Sequence, residues 1–155
     1  MEFQRVNRTD PERIFLVVKN SWSTASLAAN QWVSWDLITD RDGVAVTKPA
    51  GELRYSIAGV AVETVANGDY GLIQVWGYRV GARCSGGSGL VTSKVSSGTV
   101  LVCKTAGFAV AAAHSSITVK PYHLFAAGLG IVPTNTAAKA TSATTWVGNV
   151  FVRCL

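Results

Sequence analysis

The sequence contains few of the residues that enzymes and metal proteins use for chemistry. It has nine Asp and Glu and two His among 155 residues, and no acidic residue follows Asp69. Neither His114 nor His123 has a carboxylate or a cysteine at ligand spacing, whereas a metal site needs at least three converging donors. No serine lies in the Gly-x-Ser-x-Gly pattern of a nucleophile elbow. We therefore expect no catalytic site, metal or other cofactor.

Paired cysteines are also absent. Cys84, Cys103 and Cys154 are an odd number at wide spacing, which excludes both a disulfide framework and a zinc ribbon. The sequence predicts three reduced thiols that act as small apolar residues, with Cys154 the most exposed of them.

Long hydrophobic runs are missing as well. No run approaches the roughly 18 apolar residues that cross a membrane, and the polar start of the chain does not resemble a signal peptide. Basic and acidic residues are equal in number over residues 1–60, and every charged residue after Asp69 is Lys or Arg. They are spread singly, which is typical of solvated strand faces rather than of a nucleic-acid site. An acidic partner surface would also fit them.

The residues that are present favour strands and tight turns. The chain has 15 glycines, and turn signals recur about every 8–12 residues, which is typical of a β-sandwich or β-barrel. The sequence predicts one all-β domain over residues 14–155. It also predicts an extended arm over residues 1–13, because that segment holds Pro11 and lacks apolar periodicity.

Individual strands can be placed from apolar runs and alternation. Residues 14–18 should be buried on both faces, and in residues 32–38 the side that carries Val33, Trp35 and Leu37 should face a core. Residues 21–31 fit either a helix or a loop. Further strands are predicted over residues 57–62, 70–80, 99–103, 108–110, 126–132 and 146–154. Glycines 71, 77 and 81 indicate a bulge, a bend or a closely packed backbone.

One stretch resembles a known family. Residues 68–77, Gly-Asp-Tyr-Gly-Leu-Ile-Gln-Val-Trp-Gly, are similar to a strand pattern of small structural proteins of tailed bacteriophages. The Ser97-Gly98 strand and the Gly128-Leu129-Gly130 to Phe151 ending continue the likeness. The resemblance implies a virion component, most specifically a head decoration (cement) protein that forms homo-oligomers in the particle. It would bind the major capsid protein and copies of itself, and it would assemble in the bacterial cytoplasm.

The predicted partner contacts lie in the N-terminal arm, which could order when it docks on a coat subunit. The candidate residues are Phe3, Arg5, Val6, Arg8 and Arg13. Two other functions stay open from the sequence. One is a tail or baseplate subunit, and the other is a carbohydrate-binding module that uses Trp22, Trp32 or Trp146 as stacking platforms.

Overall fold

The computed structural model describes residues 12–40, 42–49, 56–85, 100–104, 108–111, 128–130 and 145–154. Within these residues it contains nine strands and no helix. The strands are β1 (Arg13–Asn20), β2 (Trp32–Trp35), β3 (Ala45–Thr47), β4 (Ile57–Ala61), β5 (Tyr70–Ser85), β6 (Val100–Lys104), β7 (Phe108–Ala111), β8 (Gly128–Gly130) and β9 (Thr145–Arg153). The predicted all-β fold is confirmed.

The long strand β5 belongs to two closed circuits of paired strands. One circuit runs β1-β3-β2-β4-β5 and returns to β1, and the other runs β5-β7-β6-β8-β9 and returns to β5. The β1–β3 and β5–β7 pairs are parallel and the other pairs are antiparallel. The mixed sheet therefore curls into a ring without forming a regular barrel.

Glycines let β5 change partners along its length. Gly77 has a φ of 98°, and a Cβ atom there would lie 2.1 Å from the backbone oxygen of Glu12. Gly81 has a φ of 82°, next to the irregular register with β9 between Arg79 and Ala82. Only glycine adopts such angles without strain. The predicted bend and close backbone approach are confirmed.

Two groups of buried side chains hold the sheet together. The inner core is enclosed by the first circuit and consists of Val18, Leu27, Val33, Val46, Ala58, Ala61, Val65, Ile73 and Val75. The second core consists of Trp32, Val60, Ala82, Val150 and Val152. Trp32 joins the two circuits, because it packs in the second core and its Nε1 donates to the backbone oxygen of Arg83 at 3.0 Å.

The structure bears on three of the sequence expectations. Residues 21–31, which fitted either a helix or a loop, form turns and one isolated bridge, Leu27 to Val65. Leu37 was expected in a core but is 51% exposed, because β2 ends at Trp35 and a turn follows. Cys154 is half-buried against the second core, and burial raises the pKa of its thiol to about 12. The side chains of Cys84 and Cys103 lie outside the described residues, so the expectation that Cys154 is the most exposed of the three stays a prediction.

Candidate protein-binding edge

Among the described strands, β1 is an edge strand along most of its length. It pairs with β5 from Arg13 to Lys19 on one side, whereas β3 reaches it only at Lys19 and Asn20 on the other. Among the described strands, none pairs with this second side over residues 13–18. We call this side the β1 edge. An edge strand exposes backbone groups that can pair with another strand.

Two hydrogen bonds show which backbone groups face the β1 edge. The N–H of Lys19 donates to the oxygen of Val44, next to β3, at 2.9 Å. The N–H of Asn20 donates to the oxygen of Asp69, next to β5, at 2.9 Å. Backbone direction alternates along a strand paired in this way. The N–H and C=O groups of Phe15 and Val17 therefore point to the β1 edge, away from β5.

The side chains of β1 are apolar and exposed over four consecutive positions. Ile14, Phe15, Leu16 and Val17 are 38%, 42%, 36% and 64% exposed, while Val18 is 2% exposed. The prediction that residues 14–18 are buried on both faces is therefore wrong for all but Val18. The reason is that β1 pairs with a described strand on one side only over these residues, which leaves much of its side-chain surface uncovered.

The exposed surface continues from β1 onto β5. Val17 lies opposite Leu72 and Lys19 lies opposite Tyr70 in the register of the two strands. Directly opposite residues of an antiparallel pair share a face, and Leu72 and Tyr70 are 39% and 64% exposed. Phe15, Val17, Leu72 and Tyr70 form what we call the outer patch. Contiguous exposed apolar surface of this kind marks interaction sites.

Positive charges stand at the two ends of β1. Arg13 and Lys19 are both exposed. Arg79 is half-buried, and its Nη2 donates to Asn30 Oδ1 at 2.6 Å and to the backbone oxygen of Ala61 at 3.3 Å. Burial, followed by the nearby positive charge of Arg13, lowers the pKa of Arg79. The guanidinium groups of Arg13 and Arg79 therefore lie close enough for their charges to interact.

A second exposed apolar feature is the turn after β2. Leu37 and Ile38 are 51% and 78% exposed. The buried carboxylate of Asp36 anchors this turn by accepting from Ser21 Oγ at 2.6 Å, from the Thr39 N–H at 3.0 Å and from the Thr39 hydroxyl. Burial acts to raise the pKa of Asp36, but these hydrogen bonds outweigh it, so the pKa lies below its ordinary 3.8. The turn thus presents two apolar side chains on a fixed backbone.

Of the five predicted contact residues, only Arg13 lies within the described residues. Phe3, Arg5, Val6 and Arg8 lie outside the described residues. Arg13 is the first residue of β1 and pairs with Gly77, so the predicted boundary of the arm falls one residue inside the sheet. Sequence reasoning missed the β1 edge, although an apolar run bounded by Arg13 and Lys19 is a signature of a protected edge strand.

The structure also bears on the other candidate sites. Trp32 is fully buried and cannot serve as a sugar-stacking platform, and Trp22 is half-buried with Lys48 Nζ 4.9 Å from its ring centroid. The side chain of Trp146, and both His114 and His123, lie outside the described residues. The described part of the chain holds no group of three or more His, Cys, Asp or Glu that could bind a metal. Nor does that part contain a helix that is long and apolar enough to span a membrane.

Comparisons with known proteins give one structural likeness. No family model matches the chain, and no curated protein matches it. A solved structure, the N base of the head fiber gp8.5 of bacteriophage phi29, is similar over 92% of this chain and 96% of that chain. The TM-score is 0.48 and the sequence identity 12%. A likeness at this level assigns no role to the residues described above.

Proposed function

We propose that this chain is a structural protein of a tailed-bacteriophage particle that performs no catalysis. In the proposal it decorates the head as a cement protein, binds the major capsid protein and braces neighbouring coat subunits. The phi29 structure is also a head protein, which agrees with the proposal but, at a TM-score of 0.48, does not argue for it. The resemblance of residues 68–77 to phage structural proteins points to the virion.

The observation that carries the proposal is the β1 edge together with the outer patch. A cement protein must hold other chains over an extended surface, and paired strands do so through backbone hydrogen bonds and side-chain burial. Here β1 provides an unpaired side over residues 13–18 among the described strands and four consecutive exposed apolar side chains. Burying such side chains contributes about 25 cal/mol per Å² of apolar area. The geometry therefore suits binding to a protein surface.

The test is co-sedimentation of the chain with heads of the phage that encodes it. Val17 and Val80 are a matched pair, because both are exposed strand valines, at 64% and 61%. An aspartate at position 17 would place a charge in the outer patch. We expect Val17→Asp to weaken head binding at least about tenfold, a cost of about 1.4 kcal/mol, and Val80→Asp to leave it nearly unchanged.

Three results would contradict the proposal. The chain could be missing from purified particles, it could sediment with tails and not with heads, or the two variants could weaken binding equally. Electron microscopy of particles decorated with the labelled chain separates head from tail. Heads that lack the chain should also break open at a lower temperature than decorated heads, since a ligand that binds only the assembled state stabilises it.

A further inference from the structure

We propose that Asn67 is a site of covalent modification that loses its side-chain amide by deamidation. The rate is set by the hydrogen bond between the Gly68 N–H and the backbone oxygen of Asn20. The reaction needs only water, and it is independent of the proposed role in the phage head.

Asn67 is the only asparagine in the chain that glycine follows. In deamidation, the Gly68 nitrogen loses its proton and forms a bond to Asn67 Cγ, while the bond from Cγ to Nδ2 breaks and Nδ2 leaves as ammonia. Water then opens the resulting succinimide ring at either carbonyl and gives aspartate or isoaspartate. Glycine favours ring closure because it has no side chain, and beyond its chain neighbours no atom lies within 4 Å of the position of a Cβ on Gly68.

Asn67 and Gly68 form the centre of a β-turn at the protein surface. The N–H of Asp69 donates to the backbone oxygen of Ala66 at 3.1 Å, which closes the turn. Gly68 has a φ of 83°, as the third residue of a type II turn requires. Asn67 is exposed, and its side-chain amide makes a long hydrogen bond of 3.4 Å to the backbone oxygen of Ser23. Water therefore reaches the group that would react.

Asn20, which is buried at the end of β1, holds this turn in place. Its backbone oxygen accepts from the Gly68 N–H at 2.8 Å, and its backbone N–H donates to the oxygen of Asp69 at 2.9 Å. Its side chain is fixed in turn, because Nδ2 donates to the oxygen of Val65 at 2.9 Å and Oδ1 accepts from the N–H of Trp22 at 2.9 Å. A Gly68 nitrogen that lost its proton here would face the carbonyl oxygen of Asn20, which disfavours the reactive anion.

The folded state therefore slows a reaction that the sequence favours. Attack on Asn67 requires that the hydrogen bond from Gly68 to Asn20 opens, so the rate in the folded protein is the rate in the unfolded chain multiplied by the open fraction. Isoaspartate adds a carbon atom to the main chain between residues 67 and 68. This extra length moves the Gly68 N–H away from Asn20, so modification should loosen the turn that leads into β5.

The first experiment follows deamidation of the full chain by mass spectrometry of proteolytic peptides. The chain is kept at mildly alkaline pH, either folded or unfolded in guanidinium chloride. In the unfolded chain, Asn67 should convert faster than Asn149, because the branched side chain of Val150 hinders ring closure. In the folded protein, conversion at Asn67 should be at least about tenfold slower than in the unfolded chain, which corresponds to an opening cost of about 1.4 kcal/mol. Equal rates in the two states, or no conversion in the unfolded chain, would overturn the proposal.

The second experiment compares two destabilised variants in the folded state. Asn20→Ala keeps the backbone oxygen that holds Gly68 but removes the side-chain hydrogen bonds that fix Asn20. Val150→Ala is the matched control, because it leaves a cavity in the second core instead. We expect Asn20→Ala to speed deamidation of Asn67 at least about threefold more than Val150→Ala does. Equal acceleration by both variants would show that general loss of stability, and not the contact with Asn20, controls the reaction.

Hydrogen exchange at the Gly68 amide reports the same opening and requires no variant to fold. Denaturant below the unfolding transition should change the exchange rate of Gly68 and the deamidation rate of Asn67 by the same factor. Fast exchange of the Gly68 amide in the folded protein, or a deamidation rate that does not follow the exchange rate, would refute the proposal.

Discussion

Gly77 is the residue whose substitution most directly tests how β1 is held against β5. An alanine Cβ at this position would lie 2.1 Å from the oxygen of Glu12 and 3.2 Å from the Cα of Arg13. Carbon–oxygen contacts normally lie at about 3.3 Å or more, so the start of β1 would have to move by about 1 Å. Strain from the positive φ adds about 1–2 kcal/mol, and overpacking adds about 1–3 kcal/mol. We expect Gly77→Ala to lower the free energy of unfolding by about 2–5 kcal/mol.

Gly43→Ala is the matched control, because Gly43 has a φ of 75° but no atom within 4 Å of the added Cβ. It should cost only the conformational strain, about 1–2 kcal/mol. Urea unfolding followed by tryptophan fluorescence gives both values, with an unchanged m-value as the check on two-state behaviour. If both variants lower the free energy of unfolding by the same amount, the backbone of Glu12 does not pack closely against Gly77, and the described contact between β1 and β5 is wrong.

Two further predictions follow from buried titratable groups. The pKa of Asp36 is lowered in the folded protein, so its contribution to stability is complete above the unfolded pKa and is lost as the pH falls through the folded value. We expect Asp36→Asn to lower the free energy of unfolding by about 1–3 kcal/mol at pH 7 and to flatten the acid side of a plot of stability against pH. An unchanged acid side would contradict this prediction. The thiol pKa of Cys154 is raised to about 12, so little thiolate is present at pH 8. A variant with serine at positions 84 and 103 should therefore react with a thiol reagent at pH 8 only after unfolding. Rapid labelling of the folded variant would contradict this prediction.

Most of the strand pattern was predictable, because it rests on local signals. The strands predicted over residues 57–62 and 70–80 begin where β4 and β5 begin, although β5 continues to Ser85. Such patterns report which residues favour a strand and which face is apolar. They located β1 for the same reason.

The burial of β1 and the sharing of β5 were not predictable in this way. The sequence of an apolar run such as residues 14–18 is the same whether one strand or two pair with it. How much of it is buried depends on the order of the strands in the sheet. Trp32 shows the same limit, since it was a candidate for an exposed platform and is fully buried. Its burial depends on Val150 and Val152, more than a hundred residues away in the sequence.

Amide hydrogen exchange along β1 tests the central claim most directly. In the unbound protein, the amides of Leu16 and Val18 face β5 and should exchange slowly, while those of Phe15 and Val17 face the β1 edge and should exchange fast. Slow exchange at the amides of Phe15 and Val17 in the unbound protein would contradict the description of β1 as an edge strand.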